Sequence, residues 1–232
     1  MQRIAIFPLS FLNTGTAAKT SRQAYLVDNR LSKSMILEIS FYRQEVMMVA
    51  KELLGKILIH ESAGCVTAGR IVETEAYMGP EDQAAHSSGG RRTARNEVMY
   101  GSKGHAYVYF IYGLYWCLNL TAGAVPGKPE AVLLRALEPV AGEDMMAKRR
   151  GLTAGKSVNL TNGPSKLCMA MAISKAQNNV DLTASPLYVN DAPLIPQAEI
   201  VETTRVGVDY AGEWKNKSWR FYIKGNRFVS VK

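Results

Sequence analysis

Glu73, Glu75 and Tyr77 occupy alternate positions of Arg70-Ile71-Val72-Glu73-Thr74-Glu75-Ala76-Tyr77. An extended chain therefore turns two carboxylates and a phenol to one face, and Val72 and Ala76 to the other. Carboxylates so placed can direct a water molecule and stabilise positive charge; the plainer alternative is the solvated face of a half-exposed strand. Arg135 bears on the choice, because it interrupts Ala131-Val132-Leu133-Leu134-Arg135-Ala136-Leu137, which otherwise reads as a buried strand. A buried guanidinium without a partner is costly, so Arg135 faces a carboxylate, with Glu75 or Glu73 as candidates, or a wet cleft. An edge strand with Arg135 in solvent is the alternative.

Tyr107-Val108-Tyr109-Phe110-Ile111-Tyr112-Gly113-Leu114-Tyr115-Trp116 holds six aromatics in ten residues, with Gly113 near a hairpin tip. Tyr107 and Phe110 are expected in the core. Tyr112, Leu114 and Tyr115 beside the turn are harder to bury and suit wedging between stacked bases. Between Gly79 and Arg95 runs a polar loop containing His86 and then Arg91, Arg92 and Arg95. These arginines either clamp phosphates or form a solvated basic loop.

The rest of the sequence must position these groups. At 232 residues, with 47% hydrophobic and 21% charged residues, the chain reads as one folded domain. A net charge of +8 favours a polyanionic partner, although charge alone separates this weakly from any soluble basic protein. Cys65, Cys117 and Cys168 form no CxxC pair, which supports neither a disulfide framework nor a thiolate zinc site and fits a reducing compartment. His60, His86 and His105 lack metal-cluster spacing, and the phosphate-loop, dinucleotide, zinc-deaminase and GxSxG motifs are absent. No stretch is apolar enough for a membrane helix. Residues 1–27 carry Arg3, Lys19 and Arg22 but no acid; they read as a targeting signal, a disordered extension, or the product of an early start codon with Met35 as the true one.

Helical spacing runs from Tyr42 to Leu54 and stops before Gly55, and returns at Gly142 to Arg150 and Pro164 to Ile173. Strand-like runs are Lys56 to His60, Val66 to Tyr77, His105 to Ile111, Trp116 to Leu120, Ala131 to Leu137, Pro186 to Val189, Arg205 to Val208 and Trp219 to Ile223. Strands and helices do not alternate regularly, so the predicted fold is α+β with a largely antiparallel sheet.

Arg70 to Ser88, Tyr107 to Asn119, Val132 to Pro139, Asn162 to Cys168, Arg205 to Val208 and Arg220 to Tyr222 closely resemble the alkyladenine (3-methyladenine) DNA glycosylase family. The resemblance covers Tyr42 to Val231 and leaves about the first 40 residues unmatched, dividing the chain into an extension, 1–40, and a glycosylase domain, 41–232. It implies a single compact domain with an antiparallel, barrel-like β core flanked by helices and a protruding, DNA-intercalating hairpin. It implies a monofunctional enzyme of base excision repair that needs no metal or cofactor. Such an enzyme flips alkylated or deaminated purines (3-methyladenine, 7-methylguanine, hypoxanthine, ethenoadenine) from duplex DNA and hydrolyses the glycosidic bond without strand scission.

By the same resemblance, Glu75 deprotonates the attacking water, which Arg135 and the Val206 carbonyl help to hold. Tyr77, His86 and Tyr109 sandwich the flipped base, His86 also offering its backbone N–H. Asn119 disfavours guanine's exocyclic amino group, and Tyr112 fills the gap in the stack. The implied partner is damaged duplex DNA entered from the minor groove, by a monomer without membrane contact. The implied location is intracellular: cytoplasm or nucleoid in a bacterium, nucleus or organelle in a eukaryote. Two rivals stand beside this reading. A non-catalytic nucleic-acid-binding module has no use for Glu75 and Arg135, and a nucleoside hydrolase is indifferent to Tyr112.

Overall fold

The computed structural model describes residues 32–111, 113–153 and 157–232. Its centre is an antiparallel sheet of β1 (Ile57–Ser62), β2 (Cys65–Tyr77), β3 (Ala106–Ile111), β4 (Tyr115–Thr121), β5 (Ala131–Ala141), β6 (Leu187–Asn190), β7 (Ile200–Thr203) and β8 (Arg220–Ile223). The main path runs β3-β4-β5-β2-β1-β6, with β8 paired to β2 and β7 to β8. The predicted α+β class is therefore correct, while the sheet is open and barrel-like only loosely.

Length makes β2 the organiser. Of its thirteen residues, Ala68 to Tyr77 run along β5, while Ile57–Ser62 of β1 covers its first half and β8 covers Glu73 to Glu75. Register shifts beside Glu73 interrupt the β2–β5 ladder, the kind of bulge that re-aims side chains next to active sites. Gly69 lets the two strands approach, since a Cβ there would lie 2.9 Å from Leu137 Cβ.

Among the described residues the α-helices are α1 (Ile39–Tyr42), α2 (Val46–Glu52), α3 (Glu97–Tyr100), α4 (Glu143–Arg149) and α5 (Pro164–Ala170). α1, α2, α4 and α5 pack into the main core, whereas Met99 of α3 packs with Tyr107 and Ala131 in a separate cluster. In α2, Val46, Val49 and Ala50 form the buried stripe and share a core with Val72 and Ala76 of β2, as the alternation predicts. Thr74 on that face donates to the Ala50 carbonyl at 2.8 Å. Glu143 and Asp144 open α4 and Lys148 and Arg149 close it, matching the helix dipole. Pro164 opens α5, where its fixed φ suits a first helical residue. One cluster of buried apolar side chains extends from Leu37 to Phe228, so these elements form one domain. Among the described residues no helix is long and apolar enough to cross a membrane.

Three local expectations need correction. The helix expected from Tyr42 to Leu54 is confined to Val46–Glu52, Tyr42 instead closing a separate short helix. Arg205 to Val208 is an irregular loop: Gly207 sits at φ 75° and Arg205 turns inward, so the chain cannot stay extended. The strand in that region is Ile200–Thr203, which pairs with β8. Phe110 is 42% exposed and lies on Trp116, ring centroids 4.6 Å apart; it shares a strand face with the buried Val108 but sits two residues nearer the hairpin end, where burial falls off.

Candidate active site

Glu75 has no exposed surface, so the solvated-face alternative for β2 fails. Its Oε1 accepts the Val206 N–H at 2.8 Å and lies 3.2 Å from Arg135 Nη1, while its Oε2 accepts the Tyr77 hydroxyl at 2.9 Å. Arg135 also meets the second carboxylate, its Nε donating to Glu73 Oε1 at 3.1 Å. The sheet register explains this double contact, since Glu75 lies opposite Leu133 and Glu73 opposite Ala136, with Arg135 between those two β5 residues. Burial opposes the guanidinium's charge, but Glu75 and Glu73 together outweigh it and leave Arg135 a stronger base than usual. A buried charge cluster of this kind survives desolvation only when each member is paired.

Over this cluster opens a cavity of about 410 Å³ lined by Tyr77, His86, Tyr109, Asn119, Arg135 and Val206, among others. Its size falls in the roughly 300–1,000 Å³ range of small-molecule sites. The sequence-predicted pocket residues thus converge, although they come from β2, the loop after it, β3, β4, β5 and the loop after β7. The His86 ring meets Tyr109 edge to face at 4.5 Å, and its Nδ1 hydrogen-bonds the Tyr107 hydroxyl at 2.8 Å. Burial first, then the positive charges of Arg95 and Arg91, push the imidazole down to about 4, so it is neutral near pH 7. Burial and then Glu75 raise the Tyr77 phenol well above its usual range, keeping it a donor. Asn119 Nδ2 donates to the Tyr107 carbonyl at 3.2 Å, which anchors the amide in the pocket wall.

The Val206 loop is held from beneath. Arg205 forms a buried pair with Asp82, Nη2 to Oδ1 at 2.8 Å, and its Nη1 donates to the Ala76 carbonyl at 3.1 Å. The guanidinium lies 4.8 Å from the Tyr77 ring centroid and 4.9 Å from that of Trp219. Arg205 therefore braces both Val206 and the Tyr77 wall. The sequence reading missed Arg205, Asp82, Tyr107 and Arg220; an arginine in the apolar run Trp219-Arg220-Phe221 carries the same signal that singled out Arg135.

The β3–β4 hairpin borders the cavity. Leu114 is 69% exposed at its turn and Tyr115 41%; Tyr112 lies outside the described residues. Of the loop arginines, Arg92 is paired with Glu97. Arg95 donates to the Phe110 carbonyl at 3.0 Å and stands 5.2 Å from the Tyr109 ring centroid, and Arg91 is exposed. Among the described residues, no group of three or more His, Cys, Asp or Glu side chains could hold a metal ion. Chemically, the site presents a buried, multiply bonded carboxylate beneath an aromatic cavity, with a basic loop and an apolar hairpin at its mouth.

Residues 40–227 match the family described as Methylpurine-DNA glycosylase. A protein of Clostridium acetobutylicum named "Putative 3-methyladenine DNA glycosylase" is 54% identical over 197 residues, covering 82% of this chain and 95% of its own length. Proteins of the same name from Desulfitobacterium hafniense and Clostridium botulinum are 48% and 49% identical, covering 83% and 85% of this chain and 97% and 100% of their own.

Proposed function

The chain belongs to the methylpurine-DNA glycosylase family and is a DNA-repair enzyme that hydrolyses N-glycosyl bonds; we propose that it flips alkylated or deaminated purines out of duplex DNA and that Glu75 activates the attacking water. Candidate substrates are 3-methyladenine, 7-methylguanine, hypoxanthine and ethenoadenine. The observation that carries this reading is the fully buried Glu75 carboxylate held by Arg135, the Val206 N–H and Tyr77 at the base of an aromatic cavity.

Tyr77, His86 and Tyr109 stack around the flipped base. A ring-alkylated purine is cationic, and aromatic faces add on the order of 0.5–2 kcal/mol per good contact to such a group. Neutral His86 suits that cation better than an imidazolium would. Asn119 disfavours the exocyclic amino group of guanine. As the bond from C1′ to the base nitrogen breaks, the electron pair leaves with the base and the sugar becomes oxocarbenium-like. Water, held by Arg135 and the Val206 carbonyl, attacks C1′ and gives its proton to Glu75. A cationic base departs neutral without a general acid, so one carboxylate suffices; a neutral lesion needs a proton delivered to the base.

The enzyme works as a monomer entering the minor groove, Tyr112 filling the vacated stack and Arg91 and Arg95 meeting phosphates. Residues 41–232 constitute the glycosylase domain and 1–40 an extension, in an intracellular protein. The resemblance between the sequence and this family supports these roles, as does the convergence of Tyr77, His86, Tyr109, Asn119, Arg135 and Val206 on one cavity. The alternative of a binding module without chemistry is separated by release of free base from duplex DNA carrying 3-methyladenine or hypoxanthine, measured in EDTA. Release without strand scission is expected; a well-folded protein that binds the duplex and releases nothing contradicts the proposal.

A further inference from the structure

Glu73 is a second buried carboxylate, two residues from Glu75, for which the proposed water activation has no direct use. It is fully buried and accepts from three donors. Arg135 Nε donates to its Oε1 at 3.1 Å, Arg220 Nη1 to the same oxygen at 2.8 Å, and the Ser230 N–H to its Oε2 at 2.7 Å. Each donor leads to another support of the site. Arg220 Nη1 also donates to the Val231 carbonyl and its Nε to the Thr204 carbonyl, both at 2.8 Å, two residues before Val206. Arg135 Nη2 reaches the Ser230 hydroxyl at 3.3 Å. Ser230 itself is fixed by its buried neighbours Phe228 and Val229. The segment 228–231 is thus fastened beneath the catalytic cluster rather than trailing from the last strand.

The three kinds of nitrogen on Arg135 are divided among Glu73, Ser230 and Glu75. We propose that Glu73, gripped by Arg220 and Ser230, is a positioning residue that draws Arg135 into a shared geometry between two carboxylates, so that Glu75 receives only part of one guanidinium. Undivided pairing would hold Glu75 too firmly as the anion and weaken it as a base toward water. The groups that face or charge the Glu75 carboxylate are Arg135 of β5; Tyr77 and Glu73 of β2; Arg220 of β8; Arg205 beside Val206; and Tyr109 and Cys117 of the hairpin. Of these, Glu73 is the anion that competes for Arg135.

This inference rests on Glu75 being the base, and the test separates the two claims. Single-turnover base release and duplex affinity are measured across pH for wild type, Glu73→Gln and Glu75→Gln. Glu73→Gln is expected to leave lesion-duplex affinity within about twofold, lower the maximal rate at least about tenfold, and move the acidic limb of the profile down by about one pH unit, as loss of a neighbouring anion requires. A slower variant with an unmoved limb would mean a merely structural role and overturn the proposal, as would a wild-type rate. Should Glu73→Gln fail to fold, Ser230→Ala takes its place at a partly exposed position. It frees Arg135 Nη2 and is expected to slow release about two- to fivefold with affinity unchanged; an unchanged rate overturns the proposal. Active Glu75→Gln would instead sink the underlying assignment of the base.

Discussion

The Tyr77 hydroxyl donates to Glu75 Oε2 at 2.9 Å, so the wall against which a base would stack is bonded to the carboxylate beneath it. Side chains at alternate β2 positions are one pleat repeat apart on a single face, which makes this contact a consequence of strand geometry. The link couples where the base lies to how the carboxylate is aimed.

Tyr77→Phe tests that coupling, because it keeps the ring and deletes the hydroxyl. Base release is expected to slow about 10- to 150-fold, the worth of one hydrogen bond to a charged group, while lesion-duplex affinity stays within about twofold. Tyr77→Ala should lose both. Lost affinity with a preserved rate in Tyr77→Phe would refute the coupling.

Arg135→Gln leaves two buried carboxylates facing each other without their shared cation. Breaking a buried ion cluster costs about 3–5 kcal/mol, so the melting temperature should fall measurably. In the fraction that remains folded, base release should drop on the order of 100-fold. A melting curve and rate like those of wild type would show that the pairing is dispensable.

Much of this cluster is legible in the sequence alone. Period-two spacing indicates the shared face of Glu73, Glu75 and Tyr77, and the cost of burying a charge leaves Arg135 facing a carboxylate or a wet cleft unless it lies on an edge strand; the structure supplies both candidate carboxylates at once. Other parts were not legible. Arg205 to Val208 alternates like a strand, but Gly207 at positive φ and the inward pull of Asp82 make it a loop. Ile200–Thr203 is four residues long on the outer flank of β8, too short to show a period. The His86–Tyr107 bond and the contacts of 228–231 with Glu73 are long-range, and local pattern does not encode them.

Asp82→Ala isolates the brace behind the pocket. It strands the buried Arg205 guanidinium, and a loss of about 3–5 kcal/mol in unfolding free energy is expected, measurable by urea denaturation. Because Arg205 also backs Tyr77 and precedes Val206, affinity for a lesion-bearing duplex should weaken as well. Unchanged stability would contradict the buried pairing.

His86 gives the fold a pH dependence of defined sign. Its folded value, lowered by burial and then by Arg95 and Arg91 to about 4, lies below the ordinary 6.5, so the unfolded chain binds the proton more readily. Stability tied to neutral His86 is fully present above pH 6.5 and is lost as pH falls toward 4. Unfolding free energies of wild type and His86→Gln, compared between these limits, should converge as pH falls. A constant difference would contradict the neutral, buried imidazole.

The central claim is that Glu75 activates the water. Its most direct test is single-turnover release of 3-methyladenine or hypoxanthine from duplex DNA by wild type and Glu75→Gln, with duplex affinity measured in parallel. Glu75→Gln should bind the lesion duplex within a fewfold of wild type and release no base above the uncatalysed background. Release at an appreciable fraction of the wild-type rate by a folded, DNA-binding Glu75→Gln protein would contradict the account.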